Sequence, residues 1–235
     1  MRPIVFTGGG TGGHVYPGLA VYETFSRDMQ ARVVWIGSHR GVEREIVTAQ
    51  RIPYHGVAAG KLRRYFDLQN VIDAFKVLGG IVGAWRLLGR LKPIVVFSKG
   101  GYVAVPVVLA AALRKIPVVI HESDRTPGLA TRITARYATR ICVPYEDTAE
   151  QFPTGLHDRI VVTGNPVRRA FRNADGGDVL NTLGLVETDD PVIFVTGGSQ
   201  GAQQLNEWVA ETITDLARRA IVIHQTGTHS ADMIQ

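Results

Sequence analysis

The chain has 235 residues, 45% hydrophobic and 20% charged, enough for one or two domains with a buried core and too apolar for disorder. Its one cysteine, Cys142, excludes a disulfide framework and a cysteine-based zinc cluster, so a reducing compartment is expected. A formal charge of +5 and a pI near 9.6 point to an anionic partner: nucleic acid, a phosphorylated ligand or an anionic membrane surface.

From the N-terminus, Arg2–Thr7 reads as a buried strand, with too short an apolar run for a secretory signal. It enters Gly8-Gly9-Gly10-Thr11-Gly12-Gly13, and a helix is predicted from about Pro17 to Met29, Pro17 suiting a first turn. Arg32–Gly37 is the next strand and Val42–Gln50 the next helix. Ile94–Phe97 is a strand ending in Ser98-Lys99-Gly100-Gly101, ahead of a helix through Ala112. The longest apolar stretch, Val103 to Leu113, contains Pro106 and falls far short of the roughly 20 residues of a bilayer span. Pro117–Ile120 runs into His121-Glu122-Ser123-Asp124, and Ile141–Val143 and Ile160–Val162 are two shorter strands. Nearly continuous apolar strands alternating with helices predict a parallel sheet covered on both faces, a doubly wound, Rossmann-like α/β domain over residues 1–162. Ligands of such sheets bind at the carboxyl ends of the strands.

A second unit is predicted over 163–235, opening at Thr163-Gly164-Asn165-Pro166. Val192–Thr196 is a strand running into Gly197-Gly198-Ser199-Gln200-Gly201-Ala202 and a helix to about Arg219, followed by the strand Ile221–His224. Two strands and one helix cannot cover both faces of a sheet, so this second Rossmann-like domain is expected to be incomplete and the chain a fragment of a longer two-domain protein.

The loops carry the chemistry. Gly8, Gly10 and Gly13 satisfy G-x-G-x-x-G, where absent Cβ atoms let helix N-terminal amides approach an oxyanion. A nicotinamide site also needs a carboxylate at the end of the second strand, and none occurs before Glu43, which disfavours an oxidoreductase. There is no G-x-x-x-x-G-K-[ST] loop, no Asp-x-Asp and no metal-ligand spacing among the seven histidines. His14 follows the first glycine loop; it is either an ordinary structural histidine or a group of a phosphate-type site. His121, Glu122 and Asp124 share another strand end, where Asp124 could cap the following helix or orient a sugar hydroxyl.

Gly8–Gly13 with His14-Val15-Tyr16-Pro17-Gly18-Leu19-Ala20 resembles the opening of the MurG family of peptidoglycan N-acetylglucosaminyltransferases. Gly60-Lys61-Leu62-Arg63-Arg64-Tyr65, Phe97-Ser98-Lys99-Gly100-Gly101-Tyr102, His121-Glu122-Ser123-Asp124 with Thr126-Pro127-Gly128-Leu129-Ala130, Gly164-Asn165-Pro166-Val167-Arg168 and Gly197–Ala202 continue the series in family order. The version here is similar to the form common in Gram-positive bacteria. The resemblance implies a GT-B fold of two Rossmann-like domains and a hexosyltransferase. Such an enzyme moves N-acetylglucosamine from UDP-N-acetylglucosamine to the C4 hydroxyl of the MurNAc of lipid I, with inversion, giving lipid II. No cofactor and no metal are implied. Family donor-binding positions map to Thr11, Gly12, Gly13, Asp124, Arg168 and Ser199, some members carrying Asn at the position of Asp124. The remaining donor contacts are expected beyond Gln235, so the chain alone is expected to hold the acceptor half and bind nucleotide poorly. Inverting transfer needs a base and a positive site for departing UDP. His14 is the candidate base, with Glu122 as partner or alternative, and Gly197, Gly198 and Gly201, with the Ser199 hydroxyl, form the candidate diphosphate loop.

From Lys61 to Lys92 there are seven basic and two acidic residues, a local excess equal to that of the whole chain. Lys61, Arg63, Arg64, Lys76, Trp85 and Arg86 form a candidate patch for an anionic membrane, the alternative being a core-facing helix with a solvated basic face. The family's peripheral attachment to the cytoplasmic face of the bacterial plasma membrane favours the patch. No helix-turn-helix, RNA-recognition motif or zinc module supports nucleic acid. A non-catalytic lipid-I-binding module is the alternative to the enzyme.

Overall fold

The computed structural model describes residues 2–60, 69–172, 182–185, 190–198 and 201–227. Contacts divide the chain into two compact units, Met1–Asn173 and Ala174–Gln235. The first is a seven-stranded sheet of β1 (Ile4–Thr7), β2 (Val33–Ser38), β3 (Tyr54–Val57), β4 (Val95–Ser98), β5 (Val118–His121), β6 (Arg140–Val143) and β7 (Ile160–Val162), ordered β3-β2-β1-β4-β5-β6-β7. Every pair is parallel; Ile4 is in register with Val33 on one side and Val95 on the other. The strand order reverses direction between β1 and β4, the place where doubly wound sheets open a crevice at their carboxyl edge.

Period-two alternation splits each strand between two cores. Val5, Ile36, Val96, Ile120 and Ile141 pack on one face with Leu88 of α4 (Gln69–Leu91) and Val107 and Ala111 of α5 (Ala104–Leu113). Ile4, Phe6, Val33 and Trp35 pack on the other with Leu19 of α1 (Tyr16–Thr24) and Val47 of α3 (Val42–Ala49). Phe6 carries that side, its ring 5.0 to 5.8 Å from those of Phe25, Trp35 and Phe97.

Three local expectations change. The helix predicted from Pro17 to Met29 is broken: extended Phe25 ends α1, and Ser26 caps a separate turn, α2 (Arg27–Gln30), accepting from the Met29 amide at 3.4 Å. A 3-10 turn, Gly12–His14, precedes α1. Strand β3 and the 23-residue α4 fill the stretch between the second and third predicted strands. Residues 164–169 belong to the first unit and are tied within it: His121 Nε2 lies 3.0 Å from the Gly164 carbonyl, Asn165 donates to the Ser123 carbonyl and the Arg169 amide to Glu23.

The second unit pairs Val192–Thr196 with Ile221–Gln225 in parallel, with the helix Gln203–Ala217 between them in sequence. Val209 on that helix is buried while Phe194 is 61% exposed, so among the described residues one face of the strands is covered.

Candidate functional site

The carboxyl ends of β1, β4 and β5 bring together two glycine turns and the His121–Asp124 segment. The turn after β1 is held from beneath by Glu43, a residue with no exposed surface, whose carboxylate accepts from the Gly10 amide (3.0 Å), the Ser38 amide (2.9 Å) and the Ser38 hydroxyl (2.5 Å). Trp35 Nε1 donates to the Gly8 carbonyl. The turn after β4 closes on the first: Gly101 has φ +76°, and a Cβ there would sit 2.2 Å from the Gly9 carbonyl oxygen. Only glycine allows both that conformation and that approach.

His14 stands where the turns meet, half-buried, with its Nδ1 2.9 Å from the Thr11 hydroxyl. Burial, and next the charge of Lys99, hold its imidazole below the ordinary value, against Glu122 and Asp124, which act the other way. Lys99 itself is 2% exposed; its Nζ is 3.5 Å from the His121 carbonyl oxygen, and burial lowers its pKa to about 8 despite Glu122 and Asp124. Burial also pushes the Glu122 carboxyl up. The Thr131 hydroxyl and the amides of Asp124, Ser123 and Gly128 outweigh it, and the net shift is downward. Those amides lie 2.8 to 3.2 Å from its oxygens. A carboxylate so occupied shapes the loop, and His14 and Glu122 stand together at these strand ends as the candidate base and its partner. Asp124 is exposed, and α6 (Leu129–Thr134) begins at Gly128 without a side-chain cap, so Asp124 does not cap it.

Thr11 and Gly13 are exposed and Gly12 buried in the first turn. Arg168 pairs with Glu23 at 3.3 Å and lies 5.6 Å above the Tyr16 ring. In the second unit Gly198 (φ +80°) donates its amide to the Thr196 hydroxyl, and Gly201 (φ +79°) approaches the Thr226 carbonyl. Gly197 completes that turn; Ser199 lies outside the described residues. Among the described residues no three His, Cys, Asp or Glu side chains cluster as metal ligands.

Of the basic patch, Lys61, Arg63 and Arg64 lie outside the described residues. Lys76 and Arg86 are exposed on α4, Lys76 bridging to Asp73 at 3.0 Å. Phe75 (70% exposed), Leu78, Val82 and Trp85 recur at three- and four-residue spacing, one bare apolar stripe, and the Arg114 guanidinium lies 3.9 Å over the Trp85 ring. No helix of the described residues is long and apolar enough to cross a membrane.

Glu43, Lys99 and Tyr102 belong to the site and were not singled out by the sequence. Lys99 and Tyr102 stand in the Phe97–Tyr102 motif without a role assigned to them, and they flank the glycines that end β4, as His14 flanks those after β1.

The glycosyltransferase family 28 N-terminal domain matches residues 4–143, and that family's C-terminal domain matches residues 192–235. A Treponema denticola protein named UDP-N-acetylglucosamine--N-acetylmuramyl-(pentapeptide) pyrophosphoryl-undecaprenol N-acetylglucosamine transferase is 47% identical, over 100% of this chain and 62% of its own length. A Bacillus anthracis protein of the same name, numbered 2, is 44% identical over 99% and 64%. The chain thus spans about three fifths of these relatives. The crystal structure of Acinetobacter baumannii MurG aligns with TM-score 0.65 and 28% identity, over all of this chain and 61% of that one. Neisseria meningitidis UDP-GlcNAc 2-epimerase, at 16% identity and TM-score 0.64 over 99% of this chain and 68% of its own, shares the fold. The parallel sheet and these relatives bear out the expected α/β, GT-B class, with the C-terminal domain partial.

Proposed function

The chain belongs to glycosyltransferase family 28, and from that we propose that its protein is the inverting hexosyltransferase that carries N-acetylglucosamine from UDP-N-acetylglucosamine to the C4 hydroxyl of the MurNAc of lipid I, making lipid II. The observation that carries this reading is His14, held at the meeting of two glycine turns with its basicity reduced. With Nδ1–H donating to Thr11, Nε2 keeps its lone pair and takes the acceptor proton as the sugar oxygen attacks the anomeric carbon. The bond from that carbon to the UDP oxygen breaks, and its electron pair leaves with UDP. A base with a lowered pKa stays neutral, and so competent, to lower pH. The glycine turn after Thr196, with Ser199, is the proposed donor-diphosphate site, and Thr11, Gly12, Gly13, Asp124 and Arg168 the proposed donor contacts of the first unit.

The exposed stripe of α4 with Lys76, Arg86 and Arg114 supports a peripheral seat on anionic lipid, at the cytoplasmic face of the bacterial plasma membrane, where a prenyl-linked acceptor resides.

Transfer of labelled N-acetylglucosamine to a soluble lipid I analogue tests the reading, with this chain beside one carrying whatever its gene encodes after Gln235. Transfer by the longer protein, reduced about 10²- to 10⁴-fold in His14→Ala, is the expected result. No transfer by either, with both folded and the acceptor bound, would mean a lipid-binding protein without catalysis.

A further inference from the structure

Tyr102, whose ring lies against Gly10 of the first glycine turn, also lines an open cavity of about 530 Å³ at the carboxyl ends of β2 and β3. His39, Arg40 and Lys76 line it with Ser38, and among the described residues no carboxylate does. Glu43 is fully buried, its oxygens accepting from Gly10 and Ser38, and Asp73 pairs with Lys76. The first turn of α3 begins here at Gly41 without a side-chain cap. The Tyr102 hydroxyl remains a donor, because burial and then Glu43 and Asp73 raise its pKa. Lys76 adjoins Phe75, the most exposed residue of the α4 stripe, so the cavity lies between the apolar surface and the glycine turn that leads to His14.

We propose that this cavity is a subsite for an anionic group of the acceptor, with Arg40 and Lys76 as its cations and the His39 imidazole, Ser38 and Tyr102 as further polar lining. The inference rests on the acceptor assignment made above. The acceptor offers two sources of the same oxyanion chemistry, the pyrophosphate that joins sugar to prenyl chain and the carboxylates of the peptide. Either suits an open, positively lined cavity with hydroxyl donors, since fixed cations and donors recognise oxyanions by charge and hydrogen bonding together.

Calorimetric titration of this chain with two soluble short-prenyl acceptor analogues tests it, both carrying the muramyl sugar and pyrophosphate and one lacking the pentapeptide. The double substitution Arg40→Gln with His39→Gln changes exposed side chains and leaves the Lys76–Asp73 pair intact. It is expected to weaken the peptide-bearing analogue roughly 10- to 100-fold, the usual effect of losing charged hydrogen bonds. Arg40→Lys, which keeps the charge, is expected to retain most of the affinity. An equal loss with the peptide-free analogue assigns the subsite to pyrophosphate, and a loss confined to the peptide-bearing one assigns it to a peptide carboxylate. Unchanged affinity for both analogues in the folded double variant overturns the subsite and leaves the transferase reading standing. Failure of the folded unsubstituted protein to bind either analogue overturns the acceptor assignment itself, and the subsite with it.

Discussion

Lys99 is an ammonium placed where solvent barely reaches, and its charge has consequences for stability and for His14 together. Its pKa falls from 10.5 to about 8 in the folded protein. Below about pH 8 both folded and unfolded chains carry the proton, and the burial penalty is complete. Between about 8 and 10.5 the folded chain has lost the proton and the unfolded chain has not, so stability rises with pH through that window. Lys99→Met is therefore expected to stabilise the protein at pH 7 by up to about 3 kcal/mol, a gain that denaturant melts at pH 10 should find much reduced. The same substitution removes a charge that lowers the His14 pKa, so the acidic limb of the transfer rate should move to higher pH. Glu43 acts oppositely, a buried carboxylate that ties the first glycine turn, through Gly10, to the end of β2, through two bonds from Ser38. Glu43→Gln places an amide donor where an acceptor is needed; a loss of about 2 kcal/mol is expected in equilibrium unfolding, together with weaker acceptor binding.

At the scale of elements, α4 has two faces with different work. Ala84 and Leu88 are packed on the sheet, while Leu78 and Val82 are 58% and 49% exposed. That second stripe lies beside Arg86 and Arg114, the arrangement on which the proposed seat on anionic lipid rests. Leu78→Ser with Val82→Ser and Arg86→Gln should weaken co-sedimentation with anionic vesicles, by about 1 kcal/mol for the lost charge and more for the apolar contacts. Transfer to a soluble short-chain acceptor should be unaffected. Unaltered vesicle binding would return α4 to a purely structural role. The break after α1 is a smaller case of the same kind: Ser26 offers its hydroxyl to the Met29 amide, and the chain starts a new turn there.

The whole molecule is two units of unequal completeness. In the first, helices cover both faces of seven strands, and the site lies where the connections leaving the paired strands β1 and β4 turn to opposite faces. In the second, among the described residues, two strands have one covering helix, and Phe194 and Trp208 are more than half exposed. Backbone hydrogen bonds under so little apolar cover open at low free energy. Hydrogen exchange on this 235-residue chain should accordingly proceed faster across Val192–Thr196 and Ile221–Gln225 than across β1 and β4; equal protection would contradict the unequal cover.

What the sequence by itself determined is short-ranged. Apolar runs such as Arg2–Thr7 and Ile94–Phe97, each leading into a glycine turn, were legible as parallel strands entering ligand loops, and His14 as a residue of such a loop. These signals depend on neighbours along the chain and survive without knowing the packing. The tertiary structure alone decided the order of the strands, the place of β3, and the partners that meet across distance. Gly10 finds Glu43 33 positions away and Arg168 finds Glu23 145 positions away. Nor could Lys99 be recognised from sequence as a buried cation, since a lysine in a glycine turn is solvated until β1 and β5 close on either side of it. Side-chain burial and charge coupling belong to the assembled sheet, and no local pattern encodes which distant groups will share a dry pocket.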